Sequence, residues 1–331
     1  MNWRASAGRR TGMTDHTKLV VSFAPFWHNG SRVTDRSLQI VLAALPAALF
    51  GVYRFGMPAL GVLALSVSSA VLWELAFTRV AKQPVSVGDG TAAVIGLLFG
   101  MLLPATLPWW AVITGTFLAI VVGRQIYGGI GANPFNPAAV AVAILMLAWK
   151  QRMDFDAALV NLAFEFPAAF PLAAAKAFGA GAVRDLSLVD LFLGRQTGGI
   201  GTICGAALLA GGIYLILKGV VRWEIPVSFL AGVAATAAIF HTADPLRFAS
   251  PGFHLLTGFT LFGAFFLATE DSSSPVNFIP MLIYGAVAGA ITVFIRNVGV
   301  FAEGLVFAVL VGNLIQPLLD KIRPQALGKV G

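Results

Sequence analysis

The sequence predicts an all-α polytopic membrane protein of about ten transmembrane helices, arranged as two inverted five-helix repeats. Three observations carry that expectation. Of 331 residues, 58% are hydrophobic and only 11% are charged, whereas a soluble domain carries about 25% charged residues. Uncharged stretches close to the roughly 20 residues needed to cross a hydrocarbon core recur along the chain. Lys and Arg collect in alternate connections, as they do when topology is fixed by the positive-inside rule. A soluble enzyme, a disulfide-stapled secreted domain and a disordered chain are all excluded by this composition, whose mean hydropathy is +0.84. The net charge of +7 therefore reports topology, and the expected partner is the lipid bilayer, with no nucleic acid. The single cysteine, Cys204, excludes an intrachain disulfide and leaves this chain unable to supply a four-thiolate iron–sulfur site alone.

Residues 1–36 read as a cytoplasmic N-terminal segment, because the first strongly apolar run, Leu19 to Ala24, is too short for a signal-peptide core. The first five-helix half occupies 37–149. Its uncharged windows are Ser37–Tyr53, Phe55–Trp73 and Gly90–Gly123, the last divided in two at Pro104 and Pro108, followed by Gln125–Trp149. Residues 150–195 form an extracytoplasmic loop too small to be a catalytic domain. The second half, 196–320, contains Gln196–Leu217, Ile225–Ala243, Phe248–Thr269, Ser272–Ile295 and Gly304–Leu319, and 321–331 is a cytoplasmic tail. With both ends inside, 14 Lys and Arg fall in cytoplasmic segments and three (Arg54, Arg247, Arg296) in short external loops. An odd number of spans per half inserts the halves in opposite orientation. A faint echo between Gly96–Pro104 and Gly258–Leu267 agrees.

Helices that only face lipid need no Gly, Pro and Asn at their ends, and irregular backbone at membrane depth survives only buried in protein or lining a site. Two interruptions on the cytoplasmic side stand out. The first is Gly128-Gly129-Ile130-Gly131-Ala132-Asn133-Pro134-Phe135-Asn136-Pro137. Its glycines permit positive φ, its prolines stop helix continuation, and the amides of Asn133 and Asn136 offer paired donors and acceptors to a planar heterocycle. A tight turn capped by asparagine accounts for the same residues. The second is Thr269-Glu270-Asp271-Ser272-Ser273-Ser274-Pro275-Val276-Asn277. Glu270 and Asp271 suit an ion pathway for a hard cation or protons, and equally the N-cap of the next helix.

Lesser features have simpler readings. Asp89-Gly90-Thr91 caps the third span. His241 and His254 stand singly, and no side-chain set has metal-ligand spacing. Trp109, Trp110 and Trp149 fit an interfacial belt. Arg296 and Glu303 read as a rim ion pair of little weight, and Gly285–Ile291 as close helix packing.

The stretch Arg124–Ala138 resembles a hallmark of the RnfD/NqrB family, and it is closer to RnfD than to NqrB. Lys82–Thr91, Gly198–Gly201, Trp223–Val227, Ala268–Val276 and Ala302–Asn313 extend the likeness, in order, over residues 35–322. Membership implies a ten-helix flavoprotein of the cytoplasmic (inner) membrane, within a ferredoxin- or NAD-linked complex that couples electron transfer to Na⁺ or H⁺ movement. The implied partners are other membrane, flavin and iron–sulfur subunits. The implied cofactor is a non-covalent flavin, riboflavin or FMN, held by Gly128, Gly129, Gly131, Asn133, Asn136, Thr269 and Asp271. One departure matters. Relatives attach FMN to the threonine of a Ser-Gly-Ala-Thr motif, and here Ala180-Gly181-Ala182-Val183 ends in a residue without a hydroxyl, so no covalent FMN is expected. Thr197 and Thr202 lie outside the motif, Gly201-Thr202 replaces a Gly-Glu pair, and Pro25-Phe-Trp-His28 only approximates a Pro-His pattern. Two other roles remain open: a membrane anchor or electron conduit for a separate flavinylated extracytoplasmic protein, and a secondary ion or solute transporter without redox chemistry.

Overall fold

The computed structural model describes residues 32–83, 86–159 and 170–322. The N-terminal stretch with Pro25–His28, residues 160–169 with Phe166 and Pro167, and the tail from Arg323 lie outside the described residues. Every regular element from Val33 onward is helical, with no strand among the described residues. This is the architecture of a multi-pass membrane protein.

The first half runs α1 (Val33–Phe55), α2 (Met57–Val80), α3 (Thr91–Leu102), α4 (Trp109–Phe117) and α5 (Pro137–Ala148). Short helices α6 (Phe155–Leu159), α7 (Pro171–Phe178) and α8 (Leu188–Phe192) follow. The second half is α9 (Gly205–Leu217), α10 (Glu224–Ala243), α11 (Pro251–Leu256), α12 (Thr260–Phe262), α13 (Phe278–Val298) and α14 (Leu305–Leu319). Five stretches among the described residues are long and apolar enough to cross a bilayer: α1, α2, α10, α13, and α4 continued to Tyr127. The helices α3, α5, α9 and α14 are apolar but shorter, and irregular backbone adjoins each of them.

That irregular backbone is where the uncharged windows misplace helix boundaries. The window Gln125–Trp149 opens on a single 3₁₀ turn, Gln125–Tyr127, and becomes α-helical only at Pro137, and Gln196–Leu217 becomes α-helical only at Gly205. Residues 196–204 instead thread through the interior as coil. Ile200 N–H donates to Leu103 O (3.0 Å) and Gly201 N–H to Met101 O (2.8 Å), completing the C-terminus of α3. Gly51 of α1 lets this coil pass, since a Cβ there would stand 1.8 Å from Ile200 O. The window Phe248–Thr269 is broken into α11, α12 and a π-helical turn, Gly263–Leu267. A second π-helical turn, Leu118–Val122, extends α4. The α2 helix runs past Trp73 to Val80, which takes Glu74 out of the loop assigned from hydropathy and buries it completely.

Against each other, α10 and α13 pack through Gly232, Gly285 and Gly289, whose backbones touch the opposing helix as the small-residue run requires. The Arg296–Glu303 pair is no rim contact. Its side chains are 1% and 2% exposed, with Nη2 2.9 Å from Oε1.

Candidate functional site

The two π-helical turns lie shortly before the two interruptions, the first with the 3₁₀ turn Gln125–Tyr127 in between. A π turn shifts the carbonyl register, and such turns recur at functional sites. The fold brings the two loops together, 131 residues apart in sequence at their closest bond: Asn136 Nδ2 donates to Leu267 O at 3.0 Å. Asn133 Nδ2 bridges Phe135 O (3.0 Å) and Glu270 Oε1 (3.1 Å). Asn136 N–H donates to Asn313 Oδ1 (3.1 Å), and Asn313 Nδ2 reaches Ser273 O and the Tyr284 hydroxyl, each at 2.9 Å. One buried asparagine on α14 thus fastens both loops to α13.

Behind the loops lies a cavity of about 320 Å³, within the ~300–1,000 Å³ range of small-molecule sites. Its walls are apolar, with Ile95, Leu98, Phe265 and Phe266, and its polar edge carries Asn133, Thr269, Glu270, Arg36 and Arg124. Such a lining suits a guest with an apolar body and a few heteroatoms.

Of the residues singled out from sequence, Gly131, Asn133, Asn136, Thr269, Glu270 and Asp271 all line this cavity, and Gly128 and Gly129 do not. The three glycines sit at φ +114°, +93° and +82°, which makes the loop's turn. Asn136 is spent on structure at both ends, since its Oδ1 also accepts from Ala139 N–H (3.0 Å) as the cap of α5. Both Asn133 amide hydrogens are likewise committed, leaving Oδ1 for an occupant. Thr269 donates to Phe265 O (2.7 Å). Glu270 Oε2 accepts from Ser273 N–H (3.0 Å) and the Ser273 hydroxyl, so this carboxylate builds its own turn as well as facing the cavity. Asp271 pairs with Arg36, which also donates to Val220 O at 2.8 Å. Burial lifts the Asp271 carboxyl above its ordinary value, against the pull of Arg36 and with the push of Glu270.

Three polar residues here escaped the sequence reading: Arg36, Arg124 and Asn313. Arg124 is the only Lys or Arg between Lys82 and Lys150, and a lone charge in an apolar stretch is a functional signal. Arg36 and Asn313 carry no such mark, because their importance comes from partners far away in sequence. At the opposite end, a recess of about 440 Å³ contains Lys176, Arg247 and Arg296. Its two inner cations are occupied: Lys176 donates to Phe301 O (2.7 Å), and Arg296 holds Glu303. Val183 is buried in the 3₁₀ turn Ala180–Val183 and lines neither cavity. Thr197 and Thr202, 1% and 4% exposed, present no accessible hydroxyl.

A bundle of apolar helices whose broken ends meet beside a loop-lined cavity defines a multi-pass helical membrane protein. The NQR2, RnfD, RnfE family model matches residues 20–328, and the chain belongs to that family. It is 35% identical to the D component of the ion-translocating oxidoreductase complex of Halorhodospira halophila, over 88% of this chain and 90% of the relative. It is also 35% identical to the D component of the Na⁺-translocating ferredoxin:NAD⁺ oxidoreductase complex of Acetobacterium woodii, over 93% and 95%. A third relative, the D component of the proton-translocating ferredoxin:NAD⁺ oxidoreductase complex of Clostridium ljungdahlii, is 33% identical over 92% and 94%.

Proposed function

We propose that this chain is the membrane-embedded RnfD component of an Rnf-like ion-translocating oxidoreductase complex, and that its 320 Å³ cavity holds a non-covalent flavin. The observation that carries the reading is the convergence of Asn133, Thr269 and Glu270 on one apolar-walled cavity. A bound flavin supplies electron transfer in single or paired steps. The chain's own residues do the rest. Phe265, Phe266 and Leu98 would hold the group in an apolar setting, Asn133 Oδ1 would offer it an acceptor, and the Asn313 network fixes both loops. Of the two acidic residues, Glu270 has both oxygens committed, so Asp271, paired only with Arg36, is the one placed to exchange its partner for a moving cation. Relatives named for Na⁺ and for protons are 35% and 33% identical to the chain, and a carboxylate suits either cation.

The Lys/Arg distribution supports a cytoplasmic-membrane placement with both termini inside, the cavity then opening to the cytoplasm. Val183 supports a division of labour in which a covalently flavinylated partner works outside the membrane and this chain conducts electrons to it. Purified protein is expected to show flavin absorbance, released by denaturation as free riboflavin or FMN. Peptides from residues 177–204 are expected to show no FMN adduct by mass spectrometry. A colourless preparation that moves Na⁺ or a solute in liposomes overturns the redox reading in favour of a transporter.

A further inference from the structure

Arg124 lines the cavity and is buried to 3% side-chain exposure beside Glu74, which is buried to 0%. The two are not closely matched. Arg124 Nη1 stands 3.4 Å from Glu74 Oε1 and has no hydrogen-bond partner, while Nη2 donates to Thr91 Oγ1 at 2.6 Å. Glu74 Oε1 is shared with the Ser86 hydroxyl (2.6 Å) and Gln125 Nε2 (3.3 Å), and Oε2 has no partner. Asp89 Oδ2 lies 4.0 Å from Nη2, and the other charges around the cavity are Arg36, Glu270 and Asp271. A guanidinium cannot be deprotonated in a protein. Its charge therefore acts on whatever occupies the cavity, through a medium that screens it poorly.

We propose that Arg124 sets the reduction potential of the cavity's occupant, and that Glu74 is a positioning residue that holds Arg124 and offsets part of its charge. The inference rests on the flavin reading above. Each electron that arrives adds negative charge to the occupant until a proton follows, so a nearby cation favours the reduced form. An anion behind that cation moderates the preference.

The two partners therefore have opposite signed effects. Arg124→Met is expected to lower the midpoint potential of the bound flavin. Glu74→Gln, which keeps an acceptor for Ser86 and Gln125, is expected to raise it. Each change is expected to alter the reduced-to-oxidised ratio at fixed potential about tenfold, 59 mV for a one-electron step. Arg124→Lys keeps the charge and is expected to restore most of the wild-type value.

The experiment is a mediated dithionite titration of the purified protein, followed by flavin absorbance, with flavin content measured separately. Shifts of the same sign, or none, in flavin-loaded Arg124→Met and Glu74→Gln proteins overturn the proposal while leaving the flavin reading intact. Wild-type protein without flavin overturns both. If Arg124→Met does not fold, Glu74→Gln against Arg124→Lys decides, because only the first is expected to move the potential.

Discussion

Glu303→Leu tests how much of the fold hangs on one buried charge. Glu303 Oε1 and Oε2 lie 2.9 and 3.0 Å from Arg296 Nη2, Oε2 accepts Phe259 N–H at 2.9 Å, and Oε1 accepts Leu305 N–H at 3.0 Å. One carboxylate thus joins α13, the start of α14 and the break between α11 and α12. Removing one partner of a buried pair costs about 3–5 kcal/mol, because the other charge is left unpaired. Each stranded buried N–H adds about 1–3 kcal/mol, partly overlapping with that figure. With an unfolding entropy of roughly 2.1 cal/mol/K per residue, a chain of this length shifts by about 1.4 °C per kcal/mol, so a loss near 5 kcal/mol lowers the melting temperature by about 7 °C. The assay is thermal unfolding in detergent at one fixed scan rate, since membrane proteins often unfold irreversibly. Arg296→Met combined with Glu303→Leu leaves neither charge of this pair buried and is expected to be milder than Glu303→Leu alone. The exposed pair Arg195–Asp190 (64% and 44% exposed) serves as control, and Asp190→Ala is expected to cost under about 1 kcal/mol. A Glu303→Leu protein melting within about 2 °C of wild type refutes the assignment of weight to this pair.

Asn313→Leu removes both donors and the acceptor that fasten the two loops. Amides in 124–136 and 268–277 are expected to exchange hydrogen faster, with flavin retention lost, and unchanged exchange in both segments counts against the network. Gly51→Ala drives a methyl into Ile200 O, and the expected result is a sharp drop in folded yield, read by size-exclusion chromatography in detergent. Asp156 gives a pH test. Burial lifts its carboxyl above the ordinary 3.8, its bond from Phe170 N–H pulls it back, and Asp154 adds to the rise. The native state then holds more proton than the unfolded one, so this residue's contribution to stability falls as pH rises from about 3.8 through the raised value. Asp156→Asn keeps an acceptor for Phe170 and is expected to flatten the wild-type decline in melting temperature between acid and neutral pH. An identical slope in the two proteins would be the contrary outcome.

Much of the candidate site was legible because its signals are local. Three glycines, two prolines and two asparagines within ten residues cannot continue a helix, and two carboxylates after an apolar run stand out in any hydropathy profile. Which loop meets which was not legible, because nothing local records that Asn136 reaches Leu267 or that Arg36 reaches Asp271. The weight of Arg296–Glu303 was missed for a related reason: adjacency in sequence says nothing of exposure, and here α11 and α12 close over the pair. The helical start at Gly205 was misplaced because a charge-free window does not separate a buried coil from a helix. Gly198-Gly199-Ile200-Gly201 carried the warning, since repeated glycine disfavours helix. Glu74 was lost by ending the second span at the last apolar residue.

The coil at 196–204 has a consequence for how the protein is made. It supplies hydrogen bonds to α3 and passes Gly51 at backbone contact, yet it belongs to the half synthesised later. The carbonyls of Met101 and Leu103 therefore wait for partners until the ribosome has added about a hundred further residues. An N-terminal fragment ending near residue 150 emerges with that seam open, and two separately expressed fragments mature only if the later one slides its coil home.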